Sequence, residues 1–196
     1  SWVELMMKRQ EALLFLLSLW HLVNLVEAGL APTYYLGSSG TVTFYYPQGI
    51  AVDPVYSKLY VADTYNNRVL RYDNFQQLTD TSDPSMAFGQ PDFTTVTSNT
   101  GGLNAGGLFL PHGLCLDDGG NLWIADYYNN RVVRYPNPHL ATLSSPPTAD
   151  LVLGQPSFFT NVALTPPAPN SLHYPFGVAF ANGSLFVVDN GNNRYE

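Results

Sequence analysis

Beyond residue 47 the apolar residues come in short runs rather than in helical stripes. Ile50-Ala51-Val52, Leu59-Tyr60-Val61-Ala62, Val69-Leu70-Arg71-Tyr72 and Met86-Ala87-Phe88 are separated by clusters of Asp, Asn, Gly, Pro and Ser. Runs of this length bounded by turn residues read as strands. The pattern places four of them near Gly49–Val52, Lys58–Ala62, Arg68–Tyr72 and Met86–Gly89. The first 28 residues are different in kind. Lys8-Arg9 precede an apolar run from Ala12 to Val26, and Val26-Glu27-Ala28 has the small-residue character of a processing site. This predicts a signal helix cleaved after Ala28, with Ser1–Leu5 a translated leader upstream of Met6. An uncleaved membrane anchor is the other reading; His21 and Asn24 interrupt a run already short for a span. Both readings put the remainder in the secreted compartment or on the extracellular face of a membrane.

The strand pattern repeats. Pro47-Gln48-Gly49-Ile50-Ala51-Val52-Asp53 returns as Pro111-His112-Gly113-Leu114-Cys115-Leu116-Asp117 and as Pro175-Phe176-Gly177-Val178-Ala179-Phe180. The prolines are 64 residues apart, whereas Asp63, Asp126 and Asp189 recur every 63, as do Arg68, Arg131 and Arg194. Phe88-Gly89-Gln90-Pro91 comes back as Leu153-Gly154-Gln155-Pro156, adding a fourth element to the unit. Antiparallel four-stranded units in tandem are the blades of a propeller. The expected fold is therefore all-β: a partial β-propeller of about three blades over 29–196, with repeats at about 47–93, 111–158 and 175–196.

Pro-x-Gly followed by three apolar residues and Asp, then an apolar triplet with Ala-Asp, then Asn-x-Arg with apolar residues behind it, resembles the NHL repeat. The unit is longer than the common NHL repeat, and the excess falls in 94–110 and 159–174, expected as long inter-blade loops. Propellers close with about four to eight blades, so the resemblance to six-bladed NHL propellers implies a natural protein about twice this length. A fragment would then expose blade faces and associate.

Charge narrows the partners. After Ala28 there are twelve acidic and six basic residues, five of the basic ones being the recurrent Arg68, Arg71, Arg131, Arg134 and Arg194. No free basic patch remains for a phosphate backbone except around Lys58, so no nucleic acid is expected. The single cysteine, Cys115, sits between leucines and reads as core; neither a disulfide framework nor a cysteine zinc site is possible. Asp63 with Arg68, Asp126 with Arg131 and Asp189 with Arg194 are expected as structural ion pairs, and the Asn-Asn pairs beside them as turn formers.

The residue between Pro and Gly varies while its neighbours do not. Gln48, His112 and Phe176 are therefore candidates to line a ligand face at the axial end of the inner strands, with Tyr65, Tyr127 and Tyr128 as an aromatic rim on the following turns. Asn182-Gly183-Ser184 fits a glycosylation acceptor in a turn, at Asn182. No nucleophile triad, phosphate loop or carboxylate cluster is visible. The leading expectation is a non-catalytic scaffold, without cofactor, for a protein, peptide or glycan. The alternative rests on resemblance to the peptidylglycine amidating lyases, zinc-dependent NHL propellers in which a Pro-His pair opens certain blades and the catalytic tyrosine follows Asp-x-Tyr. Pro111-His112 has the first form and Asp63-Thr64-Tyr65 and Asp126-Tyr127-Tyr128 the second. His112 alone would then be a metal ligand, and three convergent ligands are needed.

Overall fold

The computed structural model describes residue 36 and residues 42–195, apart from residue 145. The expected signal helix and leader, 1–28, lie outside the described residues. The described chain folds into three antiparallel sheets, each strand paired with the next in sequence. Blade 1 comprises β1 (Gly49–Asp53), β2 (Lys58–Asp63), β3 (Arg68–Asp73) and β4 (Met86–Phe88). Blade 2 comprises β5 (Pro111–Leu116), β6 (Leu122–Asp126), β7 (Arg131–Tyr135) and β8 (Leu151–Leu153). Blade 3 has three described strands, β9 (Pro175–Ala181), β10 (Ser184–Asp189) and β11 (Arg194–Tyr195).

Strand periodicity explains the stacking. On β2, Tyr60 and Ala62 point toward blade 2 and pack with Leu114, Ile124 and Tyr135, while Leu59 and Val61 point the other way, toward Leu36 and Val42. On β6, Ile124 faces blade 1, and Trp123 and Ala125 meet Leu172, Val178 and Val187 of blade 3. β6 is covered on both faces and buried throughout, so it is apolar from Leu122 to Ala125, and its last residue, Asp126, is buried as half of an ion pair. The inner strands β1, β5 and β9 are pressed together. A Cβ on Gly49 would lie 2.1 Å from the His112 carbonyl oxygen, and one on Gly113 would lie 2.8 Å from the Gly177 Cα, so only glycine permits the approach.

Candidate functional site: an aromatic rim over buried ion pairs

The segment before each inner strand and the turn between second and third strands meet at one end of every blade. The recurrent aspartates organise that end. Asp63 Oδ1 accepts the Tyr45 amide at 2.7 Å, and its Oδ2 accepts from Asn66 Nδ2 at 2.9 Å and Arg68 Nε at 2.8 Å. Asp126 does the same with Phe109, Asn129 and Arg131, and Asp189 with His173, Asn192 and Arg194, all at 2.7 to 2.8 Å. The guanidiniums also donate to loop carbonyls, Arg68 to Phe93, Arg131 to Phe158 and Arg194 to Ala168. Each node thus ties a turn, a pre-strand segment and a long loop together with charge-assisted hydrogen bonds. Burial pushes the Asp63 and Asp126 carboxyls above the ordinary carboxylate value, against the pull of the guanidiniums and N–H donors. Arg68 and Arg131 are buried in these pairs and are not presented to a ligand.

A second repeated device holds the backbone. The residue before each repeat proline, Tyr46, Leu110 or Tyr174, is left-handed, with φ of 48°, 48° and 52°. Bulky side chains disfavour this region, at about 1–3 kcal/mol each. The cost is borne by a clamp between blades: Asn67 Oδ1 accepts the Leu110 amide at 3.0 Å, and Asn130 Oδ1 the Tyr174 amide at 2.9 Å. Both asparagines are themselves left-handed, closing the turns Thr64–Asn66 and Tyr127–Asn129. Gln90 Nε2 donates to the Asn67 carbonyl at 3.0 Å and Gln155 Nε2 to that of Asn130 at 2.9 Å, which gives the repeated Gly-Gln-Pro a role in the same clamp.

These two devices bring rings together at the blade ends. Tyr65 lies against Tyr45 and Tyr46, with centroids 5.2 and 5.0 Å away. Tyr128 stacks on Phe109 at 4.9 Å and meets Tyr174 edge-on at 5.4 Å, while Tyr127 stacks on Tyr174 at 4.9 Å. Tyr65 and Tyr128 are exposed, and Tyr127 is half-buried. Gln48 is half-buried at the start of β1. His112 sits inside a register shift of β5, between Pro111 and Leu114, which turns its ring toward Tyr127 at 4.5 Å and Phe176 at 4.6 Å. It is 7% exposed, and its Nδ1 has no hydrogen-bond partner among the described residues. Burial alone pulls its imidazole down to about 4, so it is neutral in ordinary buffer. Phe176, at the matching place of blade 3, lies against His112 and Tyr127 of blade 2 and remains exposed.

Sequence patterns pointed to the second-to-third strand turns but missed the pre-strand residues Tyr45, Tyr46, Phe109, His173 and Tyr174. Their signal was present as a ring one or two places before each repeat proline, Tyr45-Tyr46 before Pro47, Phe109 before Leu110-Pro111 and His173-Tyr174 before Pro175. Among the described residues no three His, Cys, Asp or Glu side chains converge on a point suited to a metal. Among the described residues the neighbours of His112 are the rings of Tyr127 and Phe176. Elsewhere, Lys58 pairs with Asp73 at 3.0 Å, and Cys115 is half-buried, its thiol pushed up to about 12 by burial and by Asp117. Asn182 is exposed and left-handed in the β9–β10 turn, at the opposite end of the blades from the rings.

The family model for the NHL repeat matches residues 44–72 and 110–135. No curated protein matches the chain. Among solved structures, the luciferin-regenerating enzyme is 18% identical, with a TM-score of 0.46 over 78% of this chain and 39% of that one. A gluconolactonase from Xanthomonas campestris is 18% identical, with a TM-score of 0.42 over 76% of this chain and 36% of that one. Virginiamycin B lyase from Staphylococcus aureus is 20% identical, with a TM-score of 0.41 over 83% of this chain and 43% of that one. The chain thus spans less than half the length of these structures.

Proposed function

Because the chain belongs to the NHL-repeat family, we propose that it serves outside the cell as a non-catalytic scaffold that binds its ligand at the ringed end of the blades. The observation that carries this reading is the repeated exposure of tyrosine at one end, Tyr65 on blade 1 and Tyr128 on blade 2, over ion pairs that are buried and mutually neutralised. Tyrosine is a common anchor of binding surfaces because it buries a large ring at little conformational cost and carries a hydroxyl at its tip. The rings are also held before any ligand arrives, since the clamps and nodes fix the backbone that bears them, which lowers the cost of association. The extracellular placement is supported by the basic pair and apolar run ahead of Ala28. The zinc-lyase reading has one histidine in its favour, and His112 is packed among rings rather than among donors.

Probing glycan and peptide arrays with the wild-type chain and with a Tyr65→Ser/Tyr128→Ser double variant of equal thermal stability tests the proposal. The expected outcome is a set of ligands retained by the wild type and lost by the variant. Retention of nothing on either array, or of the same ligands by both proteins, would overturn it.

A further inference from the structure

We infer that Asn182 carries an asparagine-linked glycan, attached in the turn between β9 and β10. This rests on the extracellular reading above and adds a modification to it. Asn182-Gly183-Ser184 is the only Asn-x-Ser/Thr triplet in the 196 residues. The turn that bears it is built differently from its counterparts. In blade 1 a carboxylate holds the turn after the inner strand: Asp53 Oδ1 accepts the Val55 and Tyr56 amides, each at 3.0 Å. In blade 2 Asp117 Oδ1 accepts the Gly119 and Asn121 amides at 2.9 Å, and its Oδ2 accepts from Trp123 Nε1 at 2.9 Å. Blade 3 has Ala181 at this place. Ala181 pairs directly with Ser184, so the connection shrinks to Asn182 and Gly183, both left-handed with φ of 51° and 75°. Asn-Gly is the favoured pair for such a two-residue hairpin turn, which needs no side chain to close it.

The turn accounts for the asparagine and the glycine but not for the serine. Ser184 matches Lys58 and Asn121, which are both tied down, Lys58 to Asp73 and Asn121 Nδ2 to both Asp117 oxygens, all at 3.0 Å. Among the described residues neither Asn182 nor Ser184 gives its side chain to a hydrogen bond, and both are exposed. The two groups that the modification needs are thus presented together: the amide nitrogen that takes the sugar and the hydroxyl two residues on that completes the acceptor. There is room beside them, since a Cβ on Gly183 would have nothing within 4 Å. The glycan would stand at the end of the blades away from the rings and leave them uncovered. Its attachment joins Asn182 Nδ2 to C1 of the first sugar of a polyprenyl-pyrophosphate-linked oligosaccharide. The C1–O bond to the pyrophosphate breaks, the lipid pyrophosphate leaves with the electron pair, and Nδ2 gives up one proton.

Translation of the full chain in the presence of eukaryotic microsomes, followed by protease treatment, tests the two readings separately. A protease-protected product with a single upward step in mass is expected, the step being removed by an enzyme that releases asparagine-linked sugars. Asn182→Gln and Ser184→Ala should each lose the step completely, and Ser184→Thr should keep it. Ser184→Ala retains the Asn-Gly turn, so its loss of the glycan cannot come from a broken hairpin. A protected product of unmodified mass would overturn the glycan and leave the extracellular reading standing. An unprotected, unmodified product would overturn both. A step in mass that survives both Asn182→Gln and Ser184→Ala would overturn the assignment to Asn182.

Discussion

Blades 2 and 3 repeat one sequence pattern and place it in different surroundings. The polar node is the same in both: Asp126 and Asp189 accept from matching amides, asparagines and arginines at matching distances. The apolar packing is not. Trp123 of β6 is 7% exposed, pressed against blade 3, whereas Phe186, its counterpart on β10, is 51% exposed. The difference separates two kinds of information in the repeat. Node geometry is local, written within a blade and complete without a neighbour. Burial is mutual, supplied only when the next sheet arrives.

Substituting matched residues should make that separation measurable. Asp126→Asn leaves Arg131 without its counter-charge in a fully buried site and should cost about 3–5 kcal/mol in urea unfolding. The same change at Asp189 should cost about 1–2 kcal/mol, because the Arg194 side chain is 27% accessible to water. Trp123→Ala should cost about 3–5 kcal/mol by opening a cavity between blades, whereas Phe186→Ala should cost about 1 kcal/mol or less.

The rim position gives a pH test. His112 has its pKa pulled down to about 4 by burial, so below its unfolded value near 6.5 the unfolded chain takes up a proton that the native chain refuses. Stability should therefore fall as pH drops from 6.5 toward 4, by up to about 3 kcal/mol, with no contribution from this group above 6.5. His112→Phe should remove that slope, and blade 3, which has Phe176 at this place, has no such slope to lose. The smallest contrast is at the inner strands. Gly113→Ala drives a methyl into the backbone of blade 3 and should cost about 1–3 kcal/mol, whereas at Gly177 the nearest atom is Val188 Cγ2 at 3.3 Å and the cost should be about 1 kcal/mol or less.

Much of this was legible in the sequence because strand, turn and ion pair are all local in a repeat. The prolines, glycines, aspartates and arginines recur at fixed offsets, and the strands of blade 1 fall within a residue of where the apolar runs put them. The aromatic rim was only half legible. Tyr65, Tyr127 and Tyr128 follow a repeated Asp, but the rings that brace them precede a repeated Pro, and nothing local shows that the two segments meet. Their meeting depends on Asp63 and Asp126 reaching back to the Tyr45 and Phe109 amides, across 18 and 17 residues. His112 was legible as a variable axial residue, but not as a buried one. Its burial comes from Tyr127 of its own blade and from Phe176 of the neighbouring one.

The most direct test of the ligand-binding end is nuclear magnetic resonance of the chain with its tyrosine rings labelled, titrated with a ligand that the wild-type chain retains on the arrays. Saturable shifts at Tyr65 and Tyr128, with Tyr60, Tyr72 and Tyr135 in the core unmoved, are the predicted result. Shifts at none of the rim rings, or shifts confined to Tyr56 at the opposite end, would contradict it.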